Sequence, residues 1–320
     1  MTDVAIIAKG IFMTLIQLRV FCAVVDQGSF RAAARALDIG QSTLTQAIQS
    51  LEAELGVTLL NRSHQGISLT APGERFLVRA NAIILDCERA TEEMKQVTGE
   101  PEGHIALGVT SEPLAEFLLP VLKRFIARYP KVRVHVSSGY SKMLIEKIRD
   151  GRLDFALCPI APQVSDVDLN IERLYRSTPG IIARKGHPLA HATSVRELAE
   201  CEWVSIRPAG IVGGAENRLV SLFNAQNLGP PRIVVTAESL LETLHIVCES
   251  DFLTIEPRVL VDLKLFSQAL VAIPIREAFD PRDVCLISRR SSPLTMVAQE
   301  LVSMLISYSR LLHGAGSARG

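Results

Sequence analysis

Near the start of the chain the apolar residues Leu15, Leu18, Phe21, Cys22 and Val25 recur at intervals of three and four. That period predicts a short helix over 16–26 with one buried stripe. Gly28 ends it, and Ser29 offers a side-chain oxygen to cap a second helix over 30–37. Its small residues Ala32, Ala33, Ala34 and Ala36 let a neighbour approach closely. Asp38, Ile39 and Gly40 form a three-residue break, after which Leu44, Ile48, Leu51 and Leu55 place a third helix over 42–55. Two helices around a short glycine-containing turn, braced by another, make a helix-turn-helix core. Residues 58–62 and 66–70 then predict two short strands around the turn Ser63, His64, Gln65.

A longer period follows. From Ala71, with Pro72 suited to a helical first turn, Phe76, Leu77, Ala80, Ile83, Ile84, Cys87, Ala90, Met94 and Val97 form a stripe predicting a helix over 71–96. Some 25 residues at the helical rise span ~37 Å, too long to bury on so small a module. It pairs with its own copy or packs on the rest of its own chain. The polar segment 98–103 then reads as a hinge.

Beyond it the pattern alternates between strand and helix: strands over 104–109, 132–136 and 155–158, helices over 115–129 and 142–150. The cadence repeats with strands over 203–206, 233–236 and 252–255 and helices over 216–227 and 240–249. Two such runs predict two parallel-sheet lobes, with crossings near 160–184 and 256–283 and a last helix over 295–312 returning to the first. In open α/β sheets, small molecules bind at the carboxyl ends of strands. That rule selects Thr110 and Ser111, Pro159 and Ile160, the loop 207–214 with Arg207, Pro208 and Gly210, and the stretch Thr254 to Pro257 with Glu256. Thr110 and Ser111 are also placed to cap the helix that follows, a role compatible with ligand binding.

The third helix carries the other candidate chemistry. Gln41, Ser42, Thr43, Thr45, Gln46 and Gln49 gather at its start and away from Leu44 and Ile48. Amides can read adenine edges, and hydroxyls can serve bases or phosphates; the same residues would equally solvate a surface helix. Between 14 and 70 the chain has Arg19, Arg31, Arg35 and Arg62 against Asp26, Asp38, Glu52 and Glu54, and no lysine. Net charge cannot grip phosphates here, so binding would depend on the placement of Arg31, Arg35 and Arg62 and on doubling in a dimer. His64 could assist in the turn or simply be exposed there.

Composition narrows the class. The 320 residues are 48% hydrophobic and 21% charged, with 34 basic and 34 acidic side chains, enough for two or three cores and no global attraction to a polyanion. Six scattered cysteines without a close pair predict reduced, largely buried thiols in a cytoplasmic protein. No secretion signal or apolar run of 18 residues predicts a membrane partner. The histidines give no metal pair, because Pro188 interrupts the spacing of His187 and His191. With no GxSxG, GxxxxGK[ST] or strand-linked GxGxxG either, neither an enzyme nor a cofactor is expected. A secreted solute-binding protein would show a signal and lack the helix-turn-helix.

The stretch LIQLRVFCAVVDQGSFRAAARALDIGQSTLTQAIQSLEAELGVTLLNRSHQGISLTAPGERFL closely resembles the DNA-binding module of LysR-type transcriptional regulators. The match includes Gly28-Ser29-Phe30, Ala33-Ala34, Gln41-Ser42, Leu51-Glu52, Leu55-Gly56, Arg62 and Gly73. LLPVLKRFIARYP, IRDGRLDFAL and ARKGHPLA resemble segments of the family's effector domain. The resemblance implies an α+β protein: an N-terminal winged helix-turn-helix, a long linker helix and a two-lobed α/β effector domain like periplasmic solute-binding proteins. Its expected divisions are an arm at 1–13, the DNA-binding domain at 14–71, the dimerisation helix at 72–98 and a hinge at 99–103. The effector domain would occupy 104–312, lobe one comprising 104–161 and 284–312 and lobe two 162–283, before a tail at 313–320.

The resemblance further implies promoter double-stranded DNA as partner, a homodimer through the linker helix, a homotetramer and contact with RNA polymerase. It also implies control by a small-molecule effector of unknown identity, in many members an acidic metabolite. Where the family usually has Ser-Arg this chain has Thr45-Gln46, and Gln49-Ser50 replaces residues that are often basic. Those departures point to unusual base readout by Gln46 and Gln49. They also leave a second reading, a small-molecule-binding or protein-association module with weakened DNA binding.

Overall fold

A computed structural model describes residues 13–63, 66–98, 101–160, 167–206, 215–279 and 282–314. Helix α1 (Leu15–Gln27) starts at a capping box, in which Thr14 and Gln17 satisfy each other's backbone N–H groups, and ends at Gly28 with φ +61°. Ser29 caps α2 (Phe30–Ala36) through the Ala32 N–H, and Asp38 takes positive φ in the turn. Then α3 (Gln41–Leu55) begins one residue earlier than its apolar pattern suggests. Phe21, Val24, Ala33, Leu44, Ile48 and Leu51 interlock in a core sealed by Leu59 and Leu60. The wing is the antiparallel hairpin β1 (Leu60–Ser63) and β2 (Gly66–Leu69).

Helix α4 (Ala71–Thr98) places Ala80 in that winged core, with Phe76, Leu77 and Ile84 packed against it, and Arg19 of α1 pairs with Glu88 at 3.1 Å. Farther along, the same helix meets its own effector portion. Arg89 is 7% exposed and donates to Asp154 and Ser292, while Asp86 accepts from Arg289 and Ser292. The buried guanidinium therefore ties the long helix to the sheet within one chain.

Lobe one is built on a five-stranded sheet in the order β4-β3-β5-β12-β6. Strands β3 (Gly103–Val109), β4 (Val132–Ser138) and β5 (Phe155–Ile160) run parallel; β12 (Asp283–Arg289) lies antiparallel between β5 and β6 (Leu169–Arg176). The expected wholly parallel lobe is thus mixed, because the chain returns from lobe two in the opposite direction. Strand β6 belongs to this sheet, so lobe one extends past the boundary expected at 161 to the turn after Arg176. Between β3 and β4 run α5 (Ser111–Pro113), a π-helical turn over Leu114–Leu118 and α6 (Leu119–Arg128); α7 (Ser141–Arg149) precedes β5.

Lobe two holds two small sheets. Strand β7 (Pro179–Arg184) is flanked antiparallel by β10 (Thr254–Pro257) and β11 (Leu270–Ile273), and β8 (Glu202–Ile206) pairs parallel with β9 (Arg232–Ala237). A bridge from Trp203 to Leu253 joins them, with α8 (Ala215–Ala225) and α9 (Leu240–Cys248) as cover. The expected parallel lobe is again mixed, because β7 and β11 enter where only crossings were anticipated. Helix α10 (Met296–Gly314) returns its Leu301 and Leu305 to the core of lobe one. His313, expected in a tail, is in its last turns and stacks on Tyr175 at 3.9 Å.

Candidate functional site

On the N-terminal module, α3 turns Leu44, Ile48 and Leu51 inward and leaves Gln41, Ser42, Thr43, Gln46 and Gln49 exposed. Its N-cap is Gly40, which has no side chain to occupy the first amides, so the helix start presents open donors suited to a phosphate. Thr45 differs from the expectation: it is half-buried, and its hydroxyl donates to the Gln41 carbonyl at 2.9 Å. That internal bond occupies its hydrogen. Arg31 and Arg35 are exposed on α2. Arg62 has its backbone in β1, whereas His64 lies outside the described residues.

A carboxylate missed in the sequence reading positions the wing. Oε1 of Glu52 accepts the backbone N–H of Leu59 at 2.7 Å and of Leu60 at 3.1 Å. This fixes the start of β1 to α3. Thr70 stitches the other end, donating to the Thr58 carbonyl and accepting from the Gly73 N–H. These bonds hold α3, the wing and the start of α4 against one another.

The second candidate site is where the lobes meet. Thr110 and Ser111 follow β3 and are half-buried; the Thr110 N–H bonds to the Leu157 carbonyl, and its side chain makes no helix-capping bond. Pro159 and Ile160 do not follow their strand as expected. They lie inside β5, opposite Val284 and Asp283, because pairing with β12 prolongs the strand. Arg207, Pro208 and Gly210 fall outside the described residues. Thr254 and Glu256 occupy one face of β10, 0% and 6% exposed.

The fold brings to Glu256 residues that strand-end reasoning missed. Glu112, 2% exposed on α5, accepts from the Ser177 hydroxyl at 2.5 Å and the Thr178 N–H at 3.0 Å. It grips the crossing between the lobes one turn before Gly180, the residue paired with Glu256. Burial raises the pKa of Glu112 against those two hydrogen bonds and the Arg218 charge. Burial pushes Glu256 up to about 8, opposed by the charge of Arg218. Tyr140 of lobe one donates to the Glu238 carbonyl of lobe two at 2.9 Å. Burial, then Glu256, Glu242 and Glu238, push it up to about 12. The sequence signals for these groups are faint: an acid after Ser111 and a basic residue early in α8.

Other candidate chemistry is committed elsewhere. Asp154, beside a strand as anticipated, pairs with Arg89 and accepts the Ala106 N–H. Burial pushes the thiols of Cys22 and Cys158 up to about 12 and that of Cys285 to about 11, which disfavours reactive thiolates. Cys87 is exposed, contrary to the general expectation of burial. Among the described residues no helix is long and apolar enough to cross a membrane.

Comparison with known proteins agrees with this division. Residues 15–74 match the family model described as bacterial regulatory helix-turn-helix protein, lysR family, and residues 98–310 match the LysR substrate binding domain. The transcriptional regulator GbpR of Azospirillum brasilense is 24% identical over 92% of this chain and 86% of its own. The SDS degradation transcriptional activation protein of Pseudomonas sp. (strain ATCC 19151) is 31% identical over 75% and 78%. The fold matches crystal structures of the LysR family regulator CbnR, alone and with its target DNA. The DNA complex has a TM-score of 0.68 and 21% identity over 93% of this chain and 100% of that one. A helix-turn-helix module and a substrate-binding domain, matched in order on either side of the long helix, make this chain a member of the LysR family of ligand-responsive, DNA-binding transcriptional regulators.

Proposed function

We propose that a homotetramer of this protein, a dimer of dimers paired through α4, reads promoter DNA with α3 and responds to a small molecule held between its lobes in the cytoplasm. The observation carrying the DNA reading is the exposed row Gln41, Ser42, Thr43, Gln46 and Gln49 beside an uncapped helix start. Gln46 and Gln49 read base edges, and Arg31, Arg35 and Arg62 meet the backbone, with His64 in the wing turn. Thr45 supports the helix more than the readout. CbnR, crystallised with its target DNA, is a precedent for this use of the fold.

The effector contacts Thr110, Ser111, Thr254 and Glu256, together with the loop bearing Arg207, Pro208 and Gly210. Pro159 and Ile160 support the cleft as strand residues. A ligand that binds one closure of the lobes better than another shifts the equilibrium between tetramer arrangements, altering DNA bending and contact with RNA polymerase. The described contacts between α4 and lobe one supply a mechanical path for that change.

Nuclease protection of the chain's own upstream DNA tests the reading. Gln46→Ala should change sequence preference, whereas Arg62→Ala should weaken binding evenly across sites and reduce the salt slope by about one. Failure to protect any genomic fragment at low salt, with or without metabolites, sinks it. Ser111→Ala should impair the effector response while sparing basal DNA binding.

A further inference from the structure

Glu256 is a buried carboxylate at the carboxyl end of β10. Among the described residues no hydrogen bond or ion pair closes on it, and the one cation acting on it, Arg218, also acts on Glu112. Glu112 is already engaged by Ser177 and Thr178; Glu256 has no such donors among the described residues. Two positions away on the same strand face, Thr254 is 0% exposed and its Oγ1 has no hydrogen-bond partner among the described residues.

A carboxylate removed from water without donors is costly, and so is an unpaired buried hydroxyl. Both costs fall if a ligand brings donors and positive charge. Directly across the ladder from Glu256 stands Gly180, which places no side chain on that face. The surroundings reinforce the sign of charge, since Glu238 and Glu242, with Glu256, act on Tyr140 at the same junction.

We propose that the effector carries a cationic nitrogen, an ammonium or amidinium, that docks on the Glu256 carboxylate with Thr254 as its neutral hydrogen-bonding neighbour. This rests on the interlobe cleft being the effector site, and it replaces the acidic metabolite suggested by family resemblance with a ligand of at least one positive charge. The ligand class is therefore amines, amidines and guanidines, with amino acids included through their ammonium group. Because docking requires ionised Glu256, cation binding releases a proton and strengthens as pH rises toward about 8.

The full chain is titrated by calorimetry and thermal shift with two panels. One contains amines, amino acids and guanidines, putrescine, lysine and arginine among them; the other contains succinate, glutarate, benzoate and related carboxylates without amines. At least one cationic compound should bind, and the isosteric Glu256→Gln, its folding checked by a cooperative thermal transition, should weaken it about 30-fold or more. Silence from the whole cationic panel, or cation binding unchanged in Glu256→Gln, overturns the proposal. If only carboxylates bind and Ser111→Phe blocks them, the charge assignment falls while the cleft reading stands. If Ser111→Phe leaves every ligand bound, the cleft reading itself falls.

Discussion

Arg89 of α4 donates through Nε to Asp154 at 3.0 Å across 65 residues of sequence, with both side chains 8% exposed. Asp154 precedes β5 and also accepts the Ala106 N–H of β3 at 2.7 Å. The pair therefore binds α4 to the start of β5 and the middle of β3.

Removing one member leaves a buried charge without its partner, a loss of about 3–5 kcal/mol. Arg89→Met should therefore lower the urea midpoint substantially, and Arg89→Met with Asp154→Asn should recover part of it. In the double variant the effector-dependent change in DNA footprint should shrink while basal DNA affinity persists. A loss in the double variant equal to the sum of the Arg89→Met and Asp154→Asn losses would show that the two residues are not coupled.

Glu52 fixes the wing through the backbone amides of Leu59 and Leu60. Glu52→Ala leaves the Leu59 and Leu60 amides without their acceptor, costing about 1–3 kcal/mol. DNA affinity should fall although α3 keeps its exposed surface, and amide exchange should quicken at β1. Unchanged exchange there would contradict the assigned role.

Gly73 lies in the first turn of α4, where alanine would ordinarily stabilise a helix. A Cβ at this position would stand 2.1 Å from the Leu59 carbonyl oxygen. Gly73→Ala should destabilise the winged module by about 1–3 kcal/mol, read as a lower thermal midpoint. A midpoint at or above that of the parent chain would mean the backbone yields easily.

Glu256 holds its proton more tightly in the folded chain, at about 8 against an ordinary 4.5. The folded state consequently binds more protons between those values, and this group's contribution to stability is lost as pH rises through about 8. Glu256→Gln, which cannot ionise, should raise the thermal midpoint relative to the parent more at pH 8.5 than at pH 6. A pH-independent difference would assign the effect to packing.

Much of the N-terminal module is legible in sequence because its forces are local. Ser29, Gly28 and the spacing of Leu44, Ile48 and Leu51 act within a few turns of chain, so helices α1 to α3 fall close to their expected places. The apolar stripe likewise reveals α4. It cannot reveal Arg89, an isolated basic residue until the fold supplies Asp154 and Ser292.

The sheets show the same limit. Period and length identify β3, β4 and β5 as strands, but alternation does not encode which strand lies beside which or in what direction. Only the return of β12 between β5 and β6 makes the lobe mixed and draws Pro159 and Ile160 into a ladder. At the cleft, strand-end reasoning finds Thr254 and Glu256. It cannot find Arg218, whose charge acts on both Glu112 and Glu256 only after distant segments converge.

The sequence by itself determined a helix-turn-helix, a long helix and an alternating α/β portion, since capping, periodicity and glycine positions operate over short separations. Tertiary structure alone decided the order of the sheets, the clasp between Arg89 and Asp154, and the environment of Glu256. Those depend on burial and on charges brought together across the chain, which linear spacing does not record.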